Sequence, residues 1–194
     1  MSKTANLERK TNETEISLKL NLYGSGKGEI STGIGFFDHM LELFKAHGGF
    51  NMSLNVKGDL KVDTHHTIED TGIVIGLALK ELLGDKAGIN RYGSMYVPMD
   101  ESLAFVSLDI SGRPYLICDV PVENVIIGDF DGEMLKEFLR AFAVNAGITL
   151  HIKVLYGSNK HHMVEAVFKA LGRALKEAVK LTGNGQVPST KGVL

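Results

Sequence analysis

The 194-residue sequence contains no tryptophan, four prolines and a single cysteine, and only 7% of its residues are aromatic. One cysteine cannot form an intrachain disulfide, so we expect Cys118, in the apolar stretch PYLICDV, to be a reduced core residue. The core is expected to rest on Ile, Leu, Val, Ala and Met, because 44% of the chain is hydrophobic and few of these residues are aromatic.

The sequence also lacks an excess of charge of one sign, because 21 basic and 23 acidic residues give a formal net charge of −2. This balance provides no basic field that could follow a phosphate backbone, so it predicts no nucleic-acid partner. The start, MSKTANLERKTNETE, has no apolar signal segment, and no run reaches the ~18 apolar residues of a membrane span. We therefore expect a soluble, cytoplasmic protein without a membrane partner.

The hydrophobic residues follow both strand and helix periods, which predicts an α+β fold. Period-two runs predict strands at 15–23, 50–58, 102–110, 114–120 and 148–157. Period-3.6 runs predict helices near 36–47, 65–83, 132–146 and 161–181. The end of the chain, LTGNGQVPSTKGVL, is typical of a loose C-terminal arm.

Two long stretches of the chain are similar to each other. HHTIEDTGIVIGLALKELL, from residue 65, aligns with HHMVEAVFKALGRALKEAV, which begins 96 residues later, and Gly76 then falls on Gly172. A two-residue shift places the helix of His39 over the helix of Glu137. The sequence therefore predicts an internally duplicated α+β unit, with halves at 1–88 and 89–194 in one compact chain. We expect the sheet of each half to be covered on one face by two helices.

Each repeat carries the pattern HHxxE. On a helix, His65 and Glu69 share a face, while His66 points ~100° away. The second copy consists of His161, His162 and Glu165. Imidazole and carboxylate ligands suit Mn, Fe or Zn better than Ca or Mg. One HHxxE could be a solvated helix start, but two copies in matching halves favour metal binding, with adjacent histidines reaching two different ions.

His39 lies in GFFDHMLELF, a mostly apolar predicted helix. A histidine in such a helix can be a buried structural group, and the nearby HHxxE copies make a role as metal ligand an equal alternative. The pattern is not HExxH, so the sequence gives no support to a zincin-type protease.

Together, GFFDHML, DTHHTIEDTG, NKHHMVEA and PSTKG resemble the imidazoleglycerol-phosphate dehydratases, in order and spacing, from about Glu13 to the last residues. The resemblance implies a lyase of histidine biosynthesis that converts imidazole glycerol phosphate to imidazole acetol phosphate. It implies two Mn²⁺ ions per active site, with other divalent transition metals as an alternative, and sites between subunits of a 24-subunit homo-oligomer. The implied fold is a pair of ribosomal-S5-domain-2-like units.

The resemblance also assigns metal ligands residue by residue. They are His39, His65, His66, Glu69, His161, His162 and Glu165. An eighth ligand position, a histidine in many members, falls on Glu137, where an anionic oxygen would change the charge and the metal preference of the site. Glu137 could instead be a solvated helix residue. His151, in ITLHIKV, is a rival ligand, although a histidine on a strand face is more often structural.

The implied reaction removes a weakly acidic C–H proton beside an imidazole and expels hydroxide from the neighbouring carbon. Two metals could bind the imidazole as an imidazolate and stabilise the leaving oxygen, and the resulting enol would then ketonise. We expect Glu13 and a metal-bound carboxylate, Glu165 or Glu69, to move the protons. From its sequence context alone, Glu13 could equally be an ordinary charge at a strand edge.

The substrate's phosphate requires cationic donors away from the metals. The resemblance assigns Arg91 and Arg113 to it, although lone arginines are usually surface residues. It adds a C-terminal phosphate-binding tail of Ser189, Thr190 and Lys191, with Thr190 where a second serine is common. STKG lacks the strand and the spaced glycines of a nucleotide-binding P-loop.

Further substrate contacts are implied for Glu13, His39, His65 and His161. His47 is a weaker candidate, because a histidine at the C-terminal end of a helix also simply suits the helix dipole.

Two other functional classes are open at this point. A di-metal hydrolase would use two ions about 3.5–4 Å apart, but the sequence lacks the Asp-rich ligand sets expected for it. A non-enzymatic scaffold of the S5-like fold would bind RNA and hold no stoichiometric metal, and the acidic balance and the doubled motif weigh against it. The dehydratase interpretation is favoured.

Overall fold

The structure is a computed structural model in which residues 4–183 and 185–192 are described. The first half contains β1 (Ala5–Lys10), β2 (Thr14–Asn21), β3 (Ile30–Ser31), α1 (Gly35–Gly48), β4 (Asn51–Gly58) and α2 (His65–Leu83). The second contains β5 (Tyr92–Met99), β6 (Ser102–Asp109), β7 (Tyr115–Asp119), β8 (Ile126–Ile127), β9 (Phe130–Asp131), α3 (Glu133–Ala146), β10 (Thr149–Tyr156) and α4 (Lys160–Ala178).

Two four-stranded sheets share one topology. The first has the order β1-β2-β4-β3 and the second β5-β6-β10-β7. In each, the last strand of that order runs parallel to its neighbour, and the other pairs are antiparallel. The duplicated α+β fold predicted from the repeat is confirmed, whereas the boundary between residues 88 and 89 stays a prediction.

The four predicted helices and all five predicted strands are present, with ends that differ by a few residues. The hydrophobic pattern does not predict β1 or β5, which stand first in the two sheet orders and are edge strands. β5 contains Gly93 and Pro98, residues that weaken a strand pattern, and β1 ends in three consecutive charged residues. Edge strands tolerate such residues, because an edge strand forms backbone hydrogen bonds with a neighbouring strand on one side only.

The helices lie between the two sheets and pair across the halves, α1 with α4 and α2 with α3. Phe37 and Phe44 of α1 contact Phe138 and Phe142 of α3, and Phe168 of α4 stacks on Phe138. The expected core of Ile, Leu, Val, Ala and Met is confirmed, since these residues make up most of the buried hydrophobic side chains. The few phenylalanines concentrate where helices of both halves meet, because a large apolar side chain fills that central space efficiently.

Cys118 on β7 is a free cysteine, half-buried against the core, and burial raises the pKa of its thiol to about 11. The C-terminal arm is less loose than expected. The Gly88 backbone exchanges hydrogen bonds with Gln186 and Thr182, and Leu181 forms a bridge with Ile89. No helix among the described residues has both the length and the apolar character needed to span a lipid bilayer.

The repeated glycine lies where the helix backbones approach most closely. A Cβ atom at Gly172 on α4 would lie 2.5 Å from the carbonyl oxygen of Phe44 on α1. A Cβ atom at Gly76 on α2 would lie 2.7 Å from the carbonyl oxygen of Phe142 on α3. The coincidence of these two glycines in the repeat therefore reflects equivalent helix contacts in the two halves.

We predict that Gly172→Ala lowers the free energy of unfolding. Overpacking of a close contact costs typically about 1–3 kcal/mol, and the better helix propensity of alanine compensates by only about 1 kcal/mol. Urea unfolding of the metal-free protein measures the change, with Glu81→Ala on the exposed face of α2 as the control. A Gly172→Ala protein as stable as the unaltered chain would contradict the close contact.

Candidate active site

Three side chains meet where the N-terminal ends of α1 and α4 lie side by side. His161 and Glu165 are one turn apart on α4, with His161 Nε2 3.2 Å from Glu165 Oε2. His39 of α1 places its Nε2 3.8 Å from the same oxygen. One potential ligand atom from each residue lies within 4.8 Å of the other two. Two imidazoles and a carboxylate at these distances form a donor set that fits Mn, Fe or Zn.

Glu165 is largely buried, with its side chain 10% exposed, and the cation of Lys169 lies beside it. Burial favours the neutral acid, but the hydrogen bond and charge of Lys169, aided by His39 and His161, keep the pKa of Glu165 below its usual value. Lys169 Nζ lies 2.5 Å from Glu165 Oε1 and 3.2 Å from Met99 Sδ. The sequence interpretation missed Lys169, although a Glu followed four residues later by Lys on a helix signals such a pair.

The first HHxxE copy forms a related but different cluster at the N-terminal end of α2. His65 Nε2 lies 3.5 Å from Glu69 Oε2. Arg140 of α3 lies 3.5 Å from Glu69 Oε1 and also forms an ion pair with Glu137. Glu137, which the repeat aligns with His39, is linked to this cluster through Arg140, which pairs with both carboxylates.

The second histidine of each copy points elsewhere, as the helical spacing predicts. The planes of the His65 and His66 rings lie at 78° to each other, and those of His161 and His162 at 84°. The Nδ1 atom of each second histidine meets a carboxylate, Asp59 at 3.0 Å for His66 and Glu101 at 2.8 Å for His162. These hydrogen bonds raise the pKa of both imidazoles.

A second acidic side chain lies near Nε2 of each of these histidines. Glu13 Oε1 is 3.6 Å from His66 Nε2, and Asp100 Oδ2 is 3.9 Å from His162 Nε2. Glu13 lies between β1 and β2, and Asp100 lies between β5 and β6, so equivalent strand connections of the two sheets supply them.

Polar residues just before α2 and α4 fix where the histidine helices begin. The Asn159 side chain accepts hydrogen bonds from the backbone N–H groups of His161 and His162. The Asp63 carboxylate accepts one from the backbone N–H of His65. Such capping satisfies donors that have no partner inside a helix, and it sets the histidines at the exposed start of each helix.

The residues assigned to the phosphate gather at the opposite end of α4. Arg91 pairs with Asp109 through two hydrogen bonds of 2.7 and 3.1 Å, and its Nη1 donates to the Pro188 carbonyl at 2.8 Å. Arg113 Nη2 lies 3.6 Å from Asp109, with 70% of its side chain exposed. The Arg91 backbone N–H donates to the carbonyl of Ala178, in the last turn of α4.

The tail that contains Ser189, Thr190 and Lys191 follows Pro188 and therefore starts beside Arg91. The Lys191 backbone N–H donates to Ser189 Oγ, and Thr190 is exposed. Arg91 adopts a positive φ of 77°, which is uncommon for a residue with a side chain and often marks a functional position.

His47 and His151 lie away from these clusters. His47, at the end of α1, shares an open cleft of about 540 Å³ with Arg173 and Lys176. Partial burial, together with the charges of Lys169 and Arg173, lowers the pKa of its imidazole. His151 is exposed on β10, on the face of the second sheet that points away from the helices.

Comparisons with known proteins point to one enzyme family. The sequence profile of the imidazoleglycerol-phosphate dehydratases matches residues 32–175. An imidazoleglycerol-phosphate dehydratase from Clostridium botulinum strain Langeland is 62% identical over 192 residues, covering 98% of this chain and 97% of the relative. One from Thermoanaerobacter pseudethanolicus is 56% identical and covers 98% of both chains.

The chain belongs to the imidazoleglycerol-phosphate dehydratase family. It is accordingly an enzyme of the hydro-lyase class. A crystal structure of the dehydratase from Staphylococcus aureus superposes with a TM-score of 0.84 at 42% identity, covering 93% of this chain and 100% of the other. The Pyrococcus furiosus dehydratase, in complex with (S)-C348, superposes with a TM-score of 0.83 at 41% identity, covering 97% and 100%.

This family membership favours neither of the two alternatives that the sequence left open. Both a di-metal hydrolase and an RNA-binding scaffold would belong to other families. The resemblance read from four short motifs is confirmed over nearly the full length of the dehydratase chain.

Two of the three histidines outside the HHxxE copies, His39 and His151, provide a direct test of the cluster on α1 and α4. We predict that His39→Ala weakens Mn²⁺ binding by more than about ten-fold, because it removes a donor from a three-residue set. His151→Ala, a matched loss of one imidazole on the outer sheet face, should leave binding unchanged. Metal analysis after equilibrium dialysis compares the two, and equal losses would contradict the assignment of His39.

Proposed function

We propose that this chain dehydrates imidazole glycerol phosphate to imidazole acetol phosphate in histidine biosynthesis, as a metal-dependent enzyme. The observation that carries the proposal is the convergence of His39, His161 and Glu165 in a member of the dehydratase family. Their distances and donor types suit a divalent transition metal, and we propose two Mn²⁺ ions per active site. The same proposal includes a 24-subunit particle and a cytoplasmic location.

The chain offers ligands in two groups. One ion would take His39, His161 and Glu165, and a second would take His65 and Glu69 with Glu137, if Arg140 releases that carboxylate. His66 and His162 point away from both groups, so each would complete the shell of an ion held mainly by a neighbouring chain. When bound, such ions supply Lewis-acid polarisation of the substrate's imidazole and of the leaving oxygen.

The protein's own carboxylates are placed to move the protons. Glu165 is held ionised by Lys169 despite its burial, so it can accept a proton at neutral pH. Glu13 Oε1 lies 3.6 Å from Nε2 of His66, a proposed ligand of an ion held mainly by a neighbouring chain, and the Glu13 side chain is half-exposed. A carboxylate there can exchange a proton with solvent, which suits delivery of a proton to the leaving hydroxyl group.

The two ends of α4 separate the metal ligands from the phosphate-binding residues. His161 lies in the first turn and Arg91 binds the last turn, at Ala178. At ~1.5 Å per residue, the helix puts about 25 Å between these positions. A substrate of one imidazole, a three-carbon chain and one phosphate cannot span that distance. The separation therefore supports an active site in which one chain supplies the metal ligands and another supplies Arg91, Arg113 and the tail.

Turnover of imidazole glycerol phosphate tests the proposed activity directly, and Glu13 tests its chemistry. We predict that Glu13→Gln lowers kcat by about 10²–10⁴-fold, because the amide cannot exchange a proton. Bound Mn²⁺ should be unchanged, since Glu13 is not assigned as a ligand. Glu15→Gln is the matched control, as Glu15 pairs on the surface with Lys10. Full activity of Glu13→Gln would remove Glu13 from the mechanism.

Mixing two inactive variants tests whether the active site is shared between chains. Glu165→Gln lacks a metal ligand and Arg113→Ala lacks a phosphate donor, so each alone should be inactive. If the two residues act from different chains, co-assembly after chelation and re-addition of Mn²⁺ should restore activity at about a quarter of the sites, by random assortment of subunits. The assay follows formation of the ketone product before and after mixing.

The mixing experiment also has a clear negative outcome. Restoration of activity cannot occur if both residues serve one substrate from the same chain. Persistent inactivity of a mixed particle that has re-formed its full size would therefore contradict the shared site. Release of phosphate from simple monoesters by the unaltered enzyme would instead point to the hydrolase alternative.

A further inference from the structure

The four histidines of the HHxxE copies differ in which ring nitrogen meets a carboxylate at close range. His65 and His161 contact the glutamate of their own helix through Nε2. His66 and His162 meet Asp59 and Glu101 through Nδ1 at hydrogen-bond distance, and their Nε2 atoms face Glu13 and Asp100 at the longer distances of 3.6 and 3.9 Å. A carboxylate at Nδ1 accepts the proton of a neutral imidazole, so it keeps the lone pair on Nε2.

Glu101 is held in place by several donors. Its Oε1 accepts hydrogen bonds from the backbone N–H groups of Ser158 and Asn159, at 3.1 and 2.8 Å, and from the hydroxyl of Ser102 at 2.9 Å. Its other oxygen, Oε2, is thereby aimed at His162 Nδ1, 2.8 Å away. The turn before α4 therefore holds the Glu101 carboxylate in place, and Glu101 in turn holds the ring of His162.

Asp59 reaches the same arrangement from an unrelated place in the fold. It follows β4, whereas Glu101 lies between β5 and β6, and the 96-residue offset pairs Asp59 with Leu155. Both Asp59 oxygens lie near His66 Nδ1, at 3.0 and 3.2 Å. The duplication therefore does not explain why both histidines meet a carboxylate at Nδ1. A common role of the two carboxylates does explain it.

We propose that Glu101 and Asp59 are positioning residues that fix the tautomer and the direction of His162 and His66, so that each presents Nε2 to a metal ion. The inference rests on the proposed function, because it requires that these histidines bind metal. It assigns a role to two residues that touch neither metal nor substrate. Outer carboxylates of this kind orient histidine ligands and increase their basicity.

The substitution Glu101→Gln provides a test with a defined chemical outcome. The amide oxygen must still accept from Ser158 and Asn159, so the amide NH₂ faces His162 Nδ1 and donates to it. The proton of the imidazole then moves to Nε2 and blocks that nitrogen. We expect Mn²⁺ to bind about 10–100-fold more weakly, as for the loss of other outer partners of histidine ligands.

Two measurements report the change without an activity assay. The six-line electron paramagnetic resonance signal of free Mn²⁺ gives the affinity of the assembled protein. Nitrogen NMR of the chelated protein, labelled with ¹⁵N-histidine, shows whether the His162 proton resides on Nδ1 or Nε2. Glu8→Gln, an exposed carboxylate on β1, is the control for the loss of one negative charge.

Two variants of Asp59 test the same positioning role without disturbing the start of a helix. Both carboxylate oxygens of Asp59 lie within hydrogen-bond distance of His66 Nδ1, so either oxygen can face the ring. Asp59→Asn can therefore keep an oxygen toward Nδ1 and should bind Mn²⁺ almost as the unaltered chain does. Asp59→Ala removes the acceptor and should weaken binding. This contrast holds even if Glu101→Gln fails to fold.

The outcomes separate this inference from the function on which it rests. If the unaltered protein binds no Mn²⁺, the proposed metal-dependent function is overturned. If it binds Mn²⁺ and both Glu101→Gln and Asp59→Ala bind it equally well, the positioning role alone is overturned, and Glu101 simply caps the start of α4. Weaker binding with the proton moved to Nε2 in Glu101→Gln supports the inference.

Discussion

The close contact between helices of opposite halves is the constraint on which the rest of the structure depends. Gly172 lets α4 approach the backbone of α1, and Gly76 lets α2 approach α3. Without that approach, His39 could not lie within 3.8 Å of Glu165, because the two residues belong to different halves. Each cluster thus combines side chains from helices of both halves.

The duplication is symmetric in its backbone but not in its charges. In one cluster His39 accompanies Glu165, whose charge Lys169 balances from the same helix. In the other, Glu137 stands at the repeat position of His39, and Arg140 of α3 pairs with two carboxylates, Glu69 and Glu137. An oxygen ligand at that position would favour a harder ion such as Mn²⁺ over softer metals. If Glu137 bound such an ion, Arg140 would have to release it, which would couple metal binding to rearrangement of this ion pair.

The sequence predicts the parts of the structure that repeat a periodic pattern. The four helices and the geometry of HHxxE follow from spacing alone, because adjacent residues on a helix point in different directions. Asp59 and Glu101 could not be predicted, since each lies in a turn and meets its histidine only through the fold. β5 escaped prediction because Gly93 and Pro98 interrupt its pattern, and only the pairing with β6 defines it as a strand.

The direction of α4 has a consequence for how chains must assemble. Its first turn carries His161 and His162, and its last turn binds the backbone of Arg91, whose side chain contacts Pro188 at the start of the tail. If one end must meet the opposite end of another chain, the contact is heterologous, with different surfaces on the two partners. Such contacts either continue as filaments or close into rings and shells. If the proposed active sites are shared between chains, a particle of defined size requires a closed assembly, and metal ions that take ligands from two chains would stabilise it through linkage between binding and association.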